Sequence, residues 1–257
     1  MAASAYRSDI APVAALLADP ARAAMLQALV PGRPLAAGEL ATIAHVSAPT
    51  ASAHLAKLLE GGLLSVTRQG RHRYYRLASY QVAEVIEQIS LVSRDIPVRT
   101  LRQSREAQAL AAARTCYDHL AGRAGVGLLD ALLRTGTIKE KPSHITGVAS
   151  APADPADLDS WPEAAGSPGR QLFEVTEAGA ETLRSFGIDV SELRRARRRF
   201  AGACLDWTER RAHLNGTLGA AITARLIELG WIERGSRRRA VVITNPAAFA
   251  ETFDWTP

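Results

Sequence analysis

The stretch that decides the fold of the first part of the chain covers residues 47–63 and reads SAPTASAHLAKLLEGGL. Ser47 is a natural N-cap for a helix, and Gly61-Gly62 can adopt the left-handed conformation at which helices commonly end. The leucines at positions 55, 58 and 59 recur at the spacing of one buried helical face. The polar side chains at positions 50, 52, 54 and 57 are left to face outward or to flank that face. Short polar side chains let a helix approach the DNA backbone from the major groove, so this pattern predicts a recognition helix.

A hairpin is predicted directly after this helix, in the sequence LLSVTRQGRHRYYRL of residues 63–77. We expect strands over residues 63–67 and 73–77, with a loop over residues 68–72. Four arginines and one histidine fall within nine residues here. Such a run is usually a solvated loop, but its position after a recognition-type helix predicts a wing that reaches the DNA backbone or the minor groove.

The residues before the recognition helix are also helical in pattern. Residues 10–30 carry the apolar spacing of a buried face, with a break at Asp19-Pro20 where a second helix can begin with proline in its first turn. A turn at residues 31–34 and a short helix over residues 38–45 follow. Helices followed by a basic hairpin predict a winged helix-turn-helix domain that binds double-stranded DNA.

This stretch resembles the ArsR/SmtB family of winged-helix repressors over about 90 of the 257 residues. The resemblance is carried by LADPAR at residues 17–22, ELA at 39–41, the serine, proline, threonine, histidine, leucine and glycine pattern of 47–63, and the wing pattern from Arg68 to Tyr75. It implies a homodimer that binds a pseudo-palindromic operator and is released by an effector. The residues predicted to bind DNA are Ser47, Pro49, Thr50, Ser52, His54, Lys57, Arg68, Gln69, Arg71, His72 and Arg73.

Both metal sites that the resemblance implies for metal-sensing members are missing from this sequence. The first helix-turn-helix helix, residues 39–45, contains no cysteine, and the helix over residues 80–90 contains no histidine. His45 alone fits a solvated or capping residue better than a ligand. The signal is therefore expected to enter through the 150 or so residues beyond the domain. An apolar stripe on the later helix predicts a dimer interface together with the first helix, and its members are Val82, Val85, Ile86 and Ile89.

The composition restricts the class of protein further. The chain has a formal net charge of +5, which permits nucleic-acid binding, and only 5% aromatic residues, which favours a helical core of Ala, Leu, Val and Ile. Two cysteines far apart in sequence are not a disulfide framework and fit a reducing compartment. Neither a signal peptide nor an apolar run long enough for a bilayer is found, so we expect a soluble cytoplasmic protein.

The C-terminal half repeats itself. Residues 119–138 and 213–232 align without a gap and share seven identities, and a Cys-x-Asp element precedes each of them. We interpret each repeat as helix, glycine stop, hairpin and helix, with a flexible insertion at residues 150–169. The predicted fold class is mainly α with small β-hairpin wings (α+β). A winged helix-turn-helix domain covers residues 1–100, and a sensor domain of two winged-helix-like repeats, about 114–186 and 200–253, covers residues 101–257.

The matched residues of the repeats are the candidate effector site: Cys116, Asp118, His119, Cys204, Asp206 and His213. A purely structural role is the first alternative, because cysteine is a common core residue and Asp or His can cap a helix. The second is a sensor, either a metal site made by Cys116, His119, Cys204 and His213 or a thiol redox switch. No cofactor is required by the sequence. The arginine runs at residues 194–199 and 237–239 fit either a solvated face or contacts with DNA or an anionic ligand.

The function that these patterns favour is a sequence-specific transcriptional regulator, a repressor released by an effector that the C-terminal half senses. The alternative is an enzyme or a small-molecule-binding module joined to a DNA-binding domain. A catalytic cysteine is disfavoured because no oxyanion element or third catalytic partner is recognisable. We therefore expect a regulator and not an enzyme.

Overall fold

The computed structural model describes residues 9–70, 72–93, 97–141, 172–196, 198–235 and 239–257. These residues form two compact units. Of the described residues, the first unit contains 9–29 and 34–79, and the second contains 30–33, 80–141 and 172–257. Some features predicted from the sequence lie outside the described residues, namely the insertion at residues 150–169, Arg71, Arg197, Arg237 and Arg238. The predicted domain boundary at residue 100 stays a prediction.

The first unit is a small helical bundle that carries a hairpin. Its helices are α1 (Ala11–Leu17), α2 (Pro20–Leu29), α3 (Ala37–Ala44) and α4 (Ala48–Glu60), and its strands are β1 (Leu35–Ala36), β2 (Leu64–Gln69) and β3 (His72–Leu77). The strands form one antiparallel sheet in the order β1-β3-β2. The apolar face of α4 is buried as predicted, since Leu55 and Leu58 are fully inaccessible to solvent. The predicted winged helix-turn-helix fold is confirmed.

The hairpin of the first unit differs from the prediction in one respect. Most of the loop expected at residues 68–72 is strand, because β2 continues to Gln69 and β3 begins at His72. Gly70 has a φ of +58°, a conformation that allows a tight turn and keeps Gln69 paired with His72 on the strand ladder. Strand β1 was missed by the sequence analysis, since two residues are too few to show an alternating pattern.

The second unit begins with helix α5 (Tyr80–Val92) and helix α6 (Leu101–Ala112). Its remaining elements are β4 (Arg114–Cys116), β5 (His119–Ala121), α7 (Gly122–Arg134), β6 (Ile138–Glu140), β7 (Phe173–Val175), α8 (Glu177–Ser185), α9 (Val190–Leu193), β8 (Gly202–Leu205), β9 (Ala212–Asn215), α10 (Gly216–Glu228), β10 (Ile232–Arg234), β11 (Val241–Ile243) and α11 (Pro246–Phe253). The strands pair as antiparallel two-stranded ladders. Within the described ranges, no helix has both the length and the apolar character to cross a lipid bilayer.

The two repeats have the same order of elements. Each consists of a short hairpin (β4–β5 or β8–β9), a helix (α7 or α10), a second pair of strands (β6–β7 or β10–β11) and a final helix (α8 or α11). The expected order lacked the first hairpin and is corrected here, so Cys116, His119, Cys204 and His213 lie on strands ahead of the helices. Strands of three or four residues are too short to reveal a period of two, which is why the sequence concealed them.

The repeats exchange their packing partners. Helix α7 of the first repeat packs on β9 of the second, and α10 of the second packs on β5 of the first. The second glycine of each helix lies close against the strand that precedes the helix in the same repeat: a Cβ atom added to Gly125 would lie 2.3 Å from the Leu120 carbonyl oxygen, and one added to Gly219 would lie 2.6 Å from that of Leu214. A Cβ atom at either position would require the backbone to move, which accounts for the second glycine of the repeated His-Leu-x-Gly-x-x-Gly motif. One hydrophobic core spans both repeats, with Leu132 and Leu226 among its fully buried members.

Candidate DNA interface and buried cysteine-histidine cluster

Helix α4 presents short polar side chains on its exposed face. Ser47 caps the helix by accepting a hydrogen bond from the backbone NH of Thr50 at 3.4 Å, and the hydroxyls of Ser47 and Thr50 lie 2.8 Å apart. Ser52 donates to the carbonyl of Ala48 at 3.0 Å. These residues, Pro49 and Lys57 are exposed. A helix N-terminus with small side chains is the geometry that can approach a base edge or a phosphate.

His54 is placed differently from the other polar residues of α4. Its side chain is only 16% exposed, and Nδ1 lies 3.8 Å from Oδ1 of Asp19. The same Asp19 oxygen accepts a hydrogen bond from the backbone NH of Arg22 at 2.9 Å, in the first turn of α2. That backbone hydrogen bond is the main reason why the pKa of Asp19 is lowered. His54 therefore connects α4 with the start of α2.

The wing concentrates positive charge on its strands. Arg68 lies directly across the ladder from Arg73, and Gln69 lies across from His72. All four side chains are exposed. Like charges on opposed positions of a ladder repel each other, so an anion bound against both arginines would relieve this repulsion.

The predicted effector residues come together in the second unit. Cys116 pairs with His119 across the β4–β5 ladder, and Cys204 pairs with His213 across the β8–β9 ladder. One ligand atom from each of the four residues lies within 4.8 Å of the others. We call this set the Cys/His cluster. The sulfur atoms are 4.0 Å apart, and the two imidazole rings are stacked with centroids 5.1 Å apart. All four residues are at most 3% exposed.

The aspartate of each Cys-x-Asp element lies beside the histidine of its own repeat. Nδ1 of His119 is 3.4 Å from Oδ1 of Asp118, and Nδ1 of His213 is 3.6 Å from Oδ2 of Asp206. Neither Nε2 atom makes a hydrogen bond to an oxygen or nitrogen atom of the described part of the chain. Each ring therefore turns Nδ1 toward a carboxylate, at hydrogen-bond distance in His119 and slightly beyond it in His213, and leaves Nε2 for another partner.

An arginine pairs with each of these aspartates, and neither partner was predicted from the sequence. Arg114 donates to Asp206 at 2.9 Å, and both side chains are fully buried. The backbone NH of Gly122 donates to the same carboxylate at 2.7 Å. Burial alone would raise the pKa of Asp206, but Arg114 and these hydrogen bonds hold it well below its ordinary value. Arg198 forms the matching pair with Asp118.

The protonation of the cluster follows from its burial. The contact with Cys204 and the loss of water raise the pKa of the Cys116 thiol well above its ordinary value. Burial and the neighbouring His119 lower the pKa of His213 well below its ordinary value. Burial lowers the pKa of His119, but the neighbouring Cys116 and Asp118 raise it to about 9. The cluster can therefore bind a metal ion once the thiols and His119 lose their protons, or the sulfurs can be oxidised.

The fold and exposed surface of the first unit define a winged helix-turn-helix DNA-binding domain. A family model described as a helix-turn-helix domain matches residues 17–67. The uncharacterized HTH-type transcriptional regulator YdfF of Bacillus subtilis (strain 168) is 41% identical over 242 residues, which cover 94% of this chain and 95% of that protein. The chain belongs to this family of HTH-type transcriptional regulators. The regulator class inferred from the sequence is thereby confirmed.

Solved structures similar to this chain cover about a third of it. NolR from Sinorhizobium fredii is 30% identical and covers 32% of this chain and 81% of its own, with a TM-score of 0.30. The homodimeric winged helix-turn-helix DNA-binding domain Mb0332 from Mycobacterium bovis is 34% identical and covers 32% and 76%, also with a TM-score of 0.30. The relative from Bacillus subtilis, in contrast, extends through both units.

Proposed function

We propose that this regulator is a homodimeric repressor. It binds a pseudo-palindromic operator through α4 and the wing, and its second unit receives the signal that releases it. The observation that carries the DNA-binding part is the pairing of Arg68 with Arg73 beside a helix whose exposed face is small and polar. Arginine pairs of this kind neutralise phosphates, while the side chains of α4 read base edges.

The roles within the interface divide by side-chain chemistry. Arg68, Arg73 and Lys57 supply charge for phosphates, which fixes the protein on the duplex without reading its sequence. Thr50 and Ser52 are short enough to reach base edges from the N-terminal half of α4. Ser47 and Pro49 set the start of that helix, and Gln69 and His72 place further hydrogen-bonding side chains at the tip of the wing.

Dimerisation is supported by apolar side chains left on the surface. Val85 and Ile89 on α5 are 47% and 41% exposed, and Val13 on α1 is 38% exposed. The stripe predicted on α5 is corrected in one respect: Ile86 is buried and Val82 is half-buried, so the exposed stripe moves toward Val85, Ile89 and Val92. Two copies related by a two-fold axis would present two recognition helices to sites about one DNA turn apart.

The test is operator binding by the full chain, after selection of its sites from genomic fragments. Arg68→Ala and Arg73→Ala should each weaken binding to all sequences and reduce the salt dependence by about one unit. Thr50→Ala should instead reduce discrimination between operator and mutated operator by about tenfold. Arg184→Ala, which removes the same charge from α8, is the matched control and should bind as the parent protein does.

The alternative of an enzyme or ligand-binding module joined to a DNA-binding domain makes a different prediction. Turnover of a metabolite by the second unit would favour it. Release of the operator by an effector that is recovered unchanged supports the regulator. If both arginine variants bind DNA as tightly as the parent protein, the wing does not contact DNA and its assignment is wrong.

A further inference from the structure

The Cys/His cluster lies where the two repeats meet, and each repeat contributes one cysteine and one histidine to it. We propose that Cys116, His119, Cys204 and His213 bind one divalent thiophilic metal ion, of which zinc is the simplest, and that metal binding is transmitted to α5. The proposal that these residues bind a metal ion is argued from their geometry alone. Its regulatory consequence rests on the proposed function.

The spacing of the sulfur atoms fits a shared metal ion. Two thiolates that each lie about 2.3 Å from a tetrahedral zinc ion are separated by about 3.8 Å. The sulfurs of Cys116 and Cys204 are 4.0 Å apart, close to that separation and far from the roughly 2.05 Å of a disulfide bond. A set of two sulfurs and two imidazole nitrogens within 4.8 Å is also the donor set that tetrahedral zinc sites use.

The orientation of the histidines fits the same interpretation. Histidines that bind a metal through one nitrogen usually have the other nitrogen beside a carboxylate. His119 and His213 each place Nδ1 within 3.6 Å of an aspartate, and each has an Nε2 atom without an oxygen or nitrogen partner among the described residues. Buried polar atoms normally have partners, so a role in core packing alone leaves this arrangement unexplained.

The charges select a divalent ion. Two thiolates carry a charge of minus two, which a dication cancels. The two aspartates add no net charge to the site, because Arg114 balances Asp206 and Arg198 balances Asp118. A monovalent ion would leave one uncompensated negative charge in a fully buried site, and such a charge is costly.

Two arginines connect the cluster with α5. Arg198, which pairs with Asp118, stacks over the ring of Tyr80 at 4.1 Å, at the first residue of that helix. Arg239 donates to the carbonyl of Thr115 at 3.2 Å, next to Cys116, and pairs with the buried Glu87 in the middle of the helix. Movement of β4 or of Asp118 on metal binding therefore reaches α5 at two points. That helix also carries Val85 and Ile89, so the proposed dimer interface would respond.

The first experiment titrates reduced, metal-stripped full-length protein with Co²⁺ and then with Zn²⁺. We expect one cobalt ion per chain, with the absorption of a tetrahedral site and a sulfur-to-cobalt band that zinc removes. The chain has only two cysteines, so a sulfur band reports this cluster without any variant. Cys116→Ser combined with Cys204→Ser should abolish the band, whereas His45→Asn, which removes an exposed histidine of the first unit, should retain it.

The outcomes of this titration decide whether the Cys/His cluster binds a metal ion. A parent protein that gives no sulfur-to-cobalt band overturns the proposal, as does a double serine variant that binds cobalt as tightly as the parent protein. Oxidation of the two thiols to a disulfide in a protein that binds neither metal also overturns it, in favour of a redox switch.

The second experiment measures operator affinity with and without one equivalent of zinc. We expect zinc to weaken binding by about tenfold, within the usual range of allosteric coupling. Glu87→Gln combined with Arg239→Gln removes the ion pair without leaving a single buried charge, and should retain the cobalt site but lose this response. Arg211→Gln, whose arginine pairs with Asp130, is the matched control. Equal affinity of the parent protein with and without zinc overturns the coupling, whereas failure to bind any operator in either state overturns the proposed function.

Discussion

In the first unit, Thr50, Ser52 and Lys57 are exposed on α4, whereas in the second unit the four residues of the Cys/His cluster are at most 3% exposed. The two arrangements differ in what a substitution must disturb. An exposed polar residue can be changed with little effect on the free energy of unfolding, because water replaces its contacts. A buried polar residue is held by partners that lose their own hydrogen bonds when it is changed. Function and stability should therefore be separable in the first unit and coupled in the second.

The largest effect is expected at Asp206. Asp206→Asn leaves the fully buried Arg114 without its counter-charge, which should lower the free energy of unfolding by about 3–5 kcal/mol. Asp118→Asn is the matched change in the other repeat, where the carboxylate is 35% exposed and Arg198 is 24% exposed. Its cost should be about 1 kcal/mol. Urea denaturation of both variants measures the difference, and equal losses would contradict the assigned asymmetry of the two repeats.

A smaller effect is expected at the glycines that bring helix α7 and helix α10 close to the strands that precede them. Gly219→Ala places a methyl group against the Leu214 carbonyl, and Gly125→Ala does the same at Leu120. Each should cost about 1–3 kcal/mol, because backbone must move to relieve the contact. Gly38→Ala, which has open space around the added Cβ atom, is the control and should be neutral or slightly stabilising. Thermal unfolding distinguishes these outcomes, and tolerance of both buried substitutions would argue against the close approach of helix and hairpin.

The same contrast explains what the sequence could predict. Helix α4 is defined by neighbours in sequence: a cap at Ser47, leucines at helical spacing and two terminal glycines. The repeat made it possible to predict that Cys116, Cys204 and their partners meet. Their position on strands was concealed, because strands this short show no pattern. The arginine partners were also concealed, since Arg114 lies 92 residues from Asp206 and Arg198 lies 80 residues from Asp118. Pairings at such separations depend on the tertiary fold, which local patterns do not encode.

Helix α5 is an exception to the contrast between the two units, because it belongs to the second unit and yet exposes apolar side chains. Val85→Glu combined with Ile89→Glu should weaken self-association by about tenfold or more, since charges would enter an apolar contact. The free energy of unfolding of the single chain should change by less than about 0.5 kcal/mol, because both positions are partly exposed. Sedimentation across a concentration series measures the first effect. If the variant dimerises as the parent protein does, the interface does not include α5. If the variant is a monomer that retains full operator affinity, dimerisation is not part of the function.

The smallest effect is expected at His54, because exposed and buried polar residues occur here on one and the same helix. Its side chain is turned toward Asp19 and is mostly buried, although it lies on the same helix as Thr50 and Ser52. His54→Asn should cost less than about 1 kcal/mol of stability, because the contact with Asp19 is long and partly exposed to solvent. If His54 only holds α4 against α2, the variant should discriminate between operator and mutated operator as the parent protein does. A loss of discrimination equal to that of Thr50→Ala would instead show that His54 reads a base. The two variants are therefore compared on one set of operators, at one salt concentration, because affinity for DNA changes with salt.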